Sequence, residues 1–363
     1  MREKHIKAWF VGVFLFSTTY LGMWFLSLGA HDPTAENWLH EVYILKHRLA
    51  QRITEEKVIV CAGSNALFGI DSELMAREVG RPVINLAGHA GLTFEFHIDQ
   101  VLRVVKAGDV VVLPLEFQYY EQDYMLTEWQ LQNMQSWGIK HLKEYGWREF
   151  VRYLAHPSLR SLGFRLVHRS VPERNDDELF TTFNSVIDHP LARDSNWSGY
   201  SYRSMNESGD FLVQAATTDL NDSGASFYSV PGKPSDRFVA NAIALKNELD
   251  RRGARLFFAW PVTARDVLDP LSPKFRQPLE RLRETLRAHN CKFIGDPADA
   301  NFDKRFFFDT LYHLNADGAA LRSVQLARSL RAELSPPLRL SDRSRSGVDQ
   351  LRLSQGKPPE RVP

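Results

Sequence analysis

A hydroxyl, an imidazole and a carboxylate are the parts of a serine nucleophile, its general base and the group that orients the base. In this chain the candidates for the three parts are Ser64, His313 and Asp309. Ser64 stands in VIVCAGSNALFGIDS, residues 58–72, where an apolar run stops at Gly63-Ser64-Asn65. Glycine allows a sharp turn there, and N–H groups opening the next helix can stabilise an oxyanion. By itself the tripeptide is equally an ordinary strand-to-helix turn. Asp309 and His313 stand four residues apart in FFFDTLYHLNADGAA, residues 306–320, in a loop between the last strand and the last helix, with Asn315 or Asp317 as helix cap. In isolation they are equally a local capping carboxylate and a loop histidine. In VINLAGHAGLT, residues 83–93, a second apolar run ends in Gly88 and Gly91. The Gly88 N–H is placed to face Ser64 across adjacent strand ends as a second oxyanion donor; alternatively glycine is there only for its dihedral angles.

Other residues could line such a site. Asn85 and His89 flank the Gly88 turn and Glu116 ends the third strand, each with a purely structural alternative. Trp197 and Tyr200, in NWSGYSYRS at 196–204, are aromatics on a polar loop that could stack on sugar rings or be buried beneath neighbouring segments. No His/Cys/Asp cluster has metal-ligand spacing, so no metal is expected. Gly63-Ser64 lacks the lysine and glycine spacing of a phosphate-cradling loop, and no cofactor is expected.

These residues need elements to hold them. KVIVCA (57–62), PVINL (82–86), DVVVLPL (109–115), ARLFFAW (254–260) and 292–294 read as strands; continuous apolar runs suit strands covered on both faces. Helices are expected over 71–79, 92–106, 235–252, 273–290 and 316–333. This alternation predicts an α/β fold with a parallel sheet, interrupted by an insertion at about 117–234 that begins helical and aromatic and becomes loop-like. Residues 335–363, with few apolar side chains and several Pro, Ser and Arg, read as a disordered tail.

The first 30 residues predict a membrane anchor. Ala8 to Ala30 carries no charge, and about 20 such residues span a bilayer. Arg2, Lys4 and Lys7 precede it, which keeps the N-terminus cytoplasmic and sends the rest to the periplasm or the exterior. A cleaved signal peptide is the rival reading, with an apolar stretch longer than usual. Residues 31–56 read as a juxtamembrane helix, and 57–334 as the α/β domain. A net charge of +1, from 45 basic and 44 acidic residues, gives no electrostatic reason to expect nucleic acid. Two cysteines, Cys61 and Cys291, are too few for a disulfide framework.

Ser64 in GSNALFGIDS, the glycines of NLAGHAG, and Asp309 with His313 in DTLYHLNADG resemble, in that chain order, the SGNH (GDSL-like) hydrolase superfamily. The flavour is that of membrane-anchored envelope members working beside membrane-bound O-acyltransferases. The resemblance covers roughly 57–117 and 235–334 and implies an SGNH-like three-layer α/β fold. It implies Ser64 as nucleophile, His313 as base, Asp309 as its orienting acid, and the N–H groups of Ser64 and Gly88 as oxyanion hole. Two departures stand out: VVLPLEFQYY replaces the family's Gly-x-Asn-Asp block, and the Asp-to-His gap is one residue longer than Asp-x-x-His. The implied activity is O-acyl transfer, most simply of acetyl, onto an envelope or secreted polysaccharide, with a membrane-bound acyltransferase as partner. A polysaccharide O-acetyl esterase and a non-catalytic assembly factor on the same fold are the alternatives.

Overall fold

A computed structural model of the chain describes residues 2–28, 30, 35–121, 127–142, 147–155, 157, 159–167, 175–188, 200–213, 233–265 and 267–334. Trp197, most of the expected loop-like part of the insertion, and the 335–363 tail lie outside these residues.

Among the described residues there are seven strands: β1 (Val58–Val60), β2 (Val83–Asn85), β3 (Val110–Leu113), β4 (Arg255–Ala259), β5 (Thr263–Ala264), β6 (Lys292–Ile294) and β7 (Asn301–Phe302). Five form one parallel sheet in the order β2-β1-β3-β4-β6, and β5 pairs with β7 beside it. Val58, Ile59 and Val60 register with Val83, Ile84 and Asn85 on one side and with Val110, Val111 and Val112 on the other. All of these are buried, as β-branched runs are when helices cover both faces of a parallel sheet.

The expected helices form, four with tighter bounds and the last one residue longer. Ser72–Val79 is capped by the Asp71 side chain, Phe94–Leu102 by Thr93, and Asp236–Arg251 by Ser235. The chain steps from β1 outward to β2, then crosses back to β3. Right-handed crossovers therefore put Ser72–Val79 on one face and Phe94–Leu102 on the other. Packing agrees: Ser323 Oγ of the final helix, Ala316–Leu334, accepts the Asp71 N–H at 2.7 Å. On the opposite face Phe94 stacks on Phe238 at 4.9 Å. The reversal between β1 and β3 is a topological switch point, where the strand carboxyl ends leave a crevice.

At the opposite strand ends Asp109 holds the sheet together. It accepts the Lys57 ammonium at 2.7 Å, with both side chains buried, and also the Lys57 and Lys106 N–H groups. Residues 117–234 between β3 and β4 contain six described helices, from Gln118–Glu121 to Asp176–Asp188, so more of this stretch is helical than its Ser/Asn/Asp/Gly-rich composition suggested. Ahead of the sheet lie a helix over Arg2–Ser27, long and apolar enough to cross a membrane, and a second helix, Asn37–Arg52, within the stretch expected to be juxtamembrane.

Candidate active site

Ser64 opens a single helical turn, Ser64–Leu67, at the carboxyl end of β1 and next to the switch point. The turn is clasped from below by Glu116, just past β3. Glu116 Oε2 accepts the Gly63 N–H and Oε1 accepts the Asn65 N–H, both at 3.1 Å. Asn65 Nδ2 adds a bond to Pro114 O at 3.0 Å. Pinning the amides on either side leaves the Ser64 N–H without a hydrogen-bond acceptor among the described residues, as an oxyanion donor must be. The clasp explains Gly63: a Cβ there would lie 2.4 Å from Glu116 Oε1 and 2.7 Å from Ala90 Cα. Glu116 is buried, and burial pushes its carboxyl above the usual range against the opposing pull of its bonds to Asn65 and Gly63. It is therefore a support beneath the turn, where the sequence suggested a residue lining the site.

The Asp309–His313 loop closes on itself before the final helix. Phe308 N–H donates to His313 O at 2.7 Å, and Asn315 caps the helix by accepting the Gly318 N–H at 3.0 Å. His313 Nδ1 and Asp309 Oδ1 are 2.7 Å apart. That contact fixes a proton on Nδ1 and leaves Nε2 as the basic nitrogen. The His313 ring packs on Phe68 with centroids 4.6 Å apart, and Phe68 ends the very turn that Ser64 begins. Burial works to raise the Asp309 carboxyl, but bonds from His313 and Tyr200 outweigh it and hold the group below its ordinary value.

Tyr200 belongs to this pair. Its Oη donates to Asp309 Oδ2 at 2.8 Å, and its ring meets Phe68 and Trp38 edge-on, each at 5.6 Å. The hydroxyl expected on a sugar-stacking platform instead braces the carboxylate. A segment that sequence reasoning missed brings it there. Residues 200–213 thread past the Ser64 turn, with Phe211 N–H donating to Leu67 O at 3.3 Å and Val213 O accepting the Ala316 N–H at 2.9 Å. Buried Asp210 ties the segment down through Ser72 Oγ at 2.7 Å.

Two other expectations change on contact with the structure. The Gly88 N–H donates to Ala62 O at 3.0 Å, extending the β1–β2 pairing, so it is not a free oxyanion donor. A side chain at Gly88 would run into the Tyr43 hydroxyl, its Cβ only 1.8 Å away. Asn85 is fully buried and committed at both ends, Nδ2 to Ala66 O and Oδ1 from the Ala87 N–H, each at 2.9 Å. It ties the second strand to the Ser64 turn and does not line a ligand site. His89 is held by the Gly91 N–H on Nδ1 at 2.9 Å and by stacking on Trp129 at 4.2 Å. Burial, helped by the neighbouring His313, pulls it down to about 4. A neutral ring accepting at Nδ1 carries its proton on Nε2, which makes His89 a side-chain donor at this strand end.

The Asn37–Arg52 helix supplies what the sequence gave little sign of. Lys46 is buried and donates to Ala87 O at 2.6 Å, beside the Gly88 turn. Burial lowers it to about 7, with Asp210 pulling the other way. Tyr43, from the preceding turn, fills the space behind Gly88. A lysine between apolar residues at helical spacing was the only clue. No protein-family model matches this chain, and no curated protein is similar to it in sequence.

Proposed function

We propose that the protein is a membrane-anchored, extracytoplasmic enzyme of SGNH type that transfers an acyl group, most simply acetyl, to a hydroxyl of an envelope or secreted polysaccharide. One observation carries the reading. The 2.7 Å Asp309–His313 pair is held against Phe68, one helical turn from a serine whose own N–H is unengaged. Ser64 Oγ would attack the acyl carbonyl while His313 Nε2 takes its proton and returns one to the leaving oxygen. The sugar hydroxyl then attacks the acyl-serine, losing its proton to the same nitrogen. The Ser64 N–H and the His89 Nε2–H are the donors we assign to the developing oxyanion, in place of Gly88. A membrane-bound O-acyltransferase remains the partner of choice for delivering the acyl group.

The test is covalent trapping. With an activated acetyl ester, the full chain should gain one acetyl group, on the peptide containing Ser64, and Ser64→Ala and His313→Ala should gain none. Acetylation of polymer in cells at wild-type level by both variants would sink the proposal. An acetylated donor supplied with and without an oligosaccharide acceptor separates transfer from simple ester hydrolysis. The engaged Gly88 N–H and the absent Gly-x-Asn-Asp block favour a second reading, a binding scaffold without turnover. On that reading no adduct forms, yet polymer modification still requires the folded protein.

A further inference from the structure

Two helices of the insertion, Trp147–Ala155 and Leu159–Val167, turn large apolar side chains toward solvent. Trp147 and Val167 are 72% and 77% exposed, and Val151, Leu159 and Phe164 are exposed too. The pattern is one-sided. Trp147, Val151 and Ala155 recur every four residues on the outer side of the first helix, while Tyr153 is buried. In the second helix Leu159, Phe164 and Val167 face out and Leu162 and Arg165 face in.

The same helices are built onto the N-terminal helix. Tyr20 Oη donates to Pro157 O at 2.9 Å, and the Trp24 and Phe150 rings meet edge-on at 5.5 Å. Length decides what this means. The charge-free part of the helix begins at Ala8, and from there to Thr19 it covers only about 18 Å at 1.5 Å per residue. A hydrocarbon layer of about 30 Å reaches about 20 residues along, to Ser27. Tyr20 to Ser27 must then lie within the lipid, and the insertion is packed against that part. Besides the buried Arg165, residues 147–167 carry three arginines, at 148, 152 and 160, against the single acid Glu149. Basic amphipathic helices with Trp, Phe and Leu on the apolar side settle about 5–10 Å into an anionic lipid surface.

We propose that Trp147–Ala155 and Leu159–Val167 form a second membrane contact, embedded in the lipid surface of the bilayer that the N-terminal helix crosses. This rests on that helix being a span and not on any acyl-transfer chemistry. The contact converts a tether into a fixed mount and sets the height and tilt of the Ser64 crevice over the bilayer.

The experiment uses the full chain in vesicles of phosphatidylethanolamine and phosphatidylglycerol. An environment-sensitive fluorophore is placed on Trp147→Cys, Val151→Cys or Val167→Cys; Cys61 and Cys291 are buried and stay unlabelled. Spin labels on lipid acyl chains should quench all three several-fold more than aqueous iodide does. Leu271→Cys and Leu321→Cys, at exposed positions elsewhere, should show the reverse. Iodide quenching at 147, 151 and 167 overturns the proposal. So does iodide access in pure lipid that disappears in native membranes, which would make this face a protein docking surface. A label at Phe14→Cys separates the two premises: if it too is open to iodide, the spanning helix itself fails.

Discussion

At the scale of single residues, the proposed chemistry turns on two hydrogen bonds to one carboxylate. Asp309 accepts His313 through Oδ1 and Tyr200 through Oδ2, so its two acceptor atoms do different work. Asp309→Asn should lower the rate of acyl-serine formation roughly a thousandfold or more, because an amide can stabilise the wrong imidazole tautomer. Tyr200→Phe should cost about 1.5 kcal/mol, roughly tenfold in rate. Losing that donor also lets the Asp309 pKa rise, so the acid limb of the pH–rate profile should move to higher pH. A purely structural tyrosine would leave that limb in place. Lys46 makes a prediction of a different kind. Its ammonium holds a proton to about 10.5 when unfolded but to about 7 when folded, because burial disfavours the charge. Between those values the native state binds fewer protons, so stability grows as pH rises from 7 toward 10.5 and is lowest below 7. Thermal unfolding of Lys46→Met against pH should lose this slope, with its largest gain over wild type on the acid side. Equal slopes would show that Lys46 keeps its proton in the folded state, better paired than its bond to Ala87 O suggests.

At the scale of elements, what the sequence made legible was periodicity. Every strand of the large sheet was legible in the sequence, most of them as continuous apolar runs, and Asn315, one of two expected caps, does cap the final helix. The Asp309–His313 spacing likewise marked a pair that does meet. What stayed hidden was pairing between distant segments. Nothing local to Glu116 says that its carboxylate reaches under Gly63, since that depends on β3 lying beside β1 in register. Gly88 misled for a related reason. A glycine at a strand end looks like a free donor until the neighbouring strand claims its N–H, and here the side that matters is the Tyr43 hydroxyl behind it. Tyr200 was read from its polar loop, but its place depends on a distant contact that ties residues 200–213 down: Ser72 Oγ donates to Asp210, whose carboxylate Asn206 of the same segment also holds. The Glu116 clasp has a direct test. Gly63→Ala forces a Cβ into Glu116 and the Ala90 backbone, which should cost about 1–3 kcal/mol of stability and most of the acylation rate. A fully active, fully stable Gly63→Ala protein would mean that the turn can move away from its support.

At the scale of the whole molecule, the proposed orientation puts the Ser64 crevice outside the cytoplasm. Three basic residues precede the apolar stretch of the N-terminal helix, and the positive-inside rule then keeps that end in the cytoplasm. An alkaline phosphatase fused after residue 60 should therefore be active, and a cytoplasmic reporter at the same position silent; the opposite result would invert the topology. Trp38, Tyr43 and Lys46 come from the Asn37–Arg52 helix, yet they brace Tyr200, back the Gly88 turn and hold Ala87 O. That helix is thus an integral wall of the crevice. A protease that severs the chain ahead of Trp38 should leave a body with this wall of the crevice in place. One that cuts between Arg52 and Val58 should uncouple three supports at once from the sheet that carries Ser64, so the place of the cut would decide whether the proposed chemistry survives cleavage.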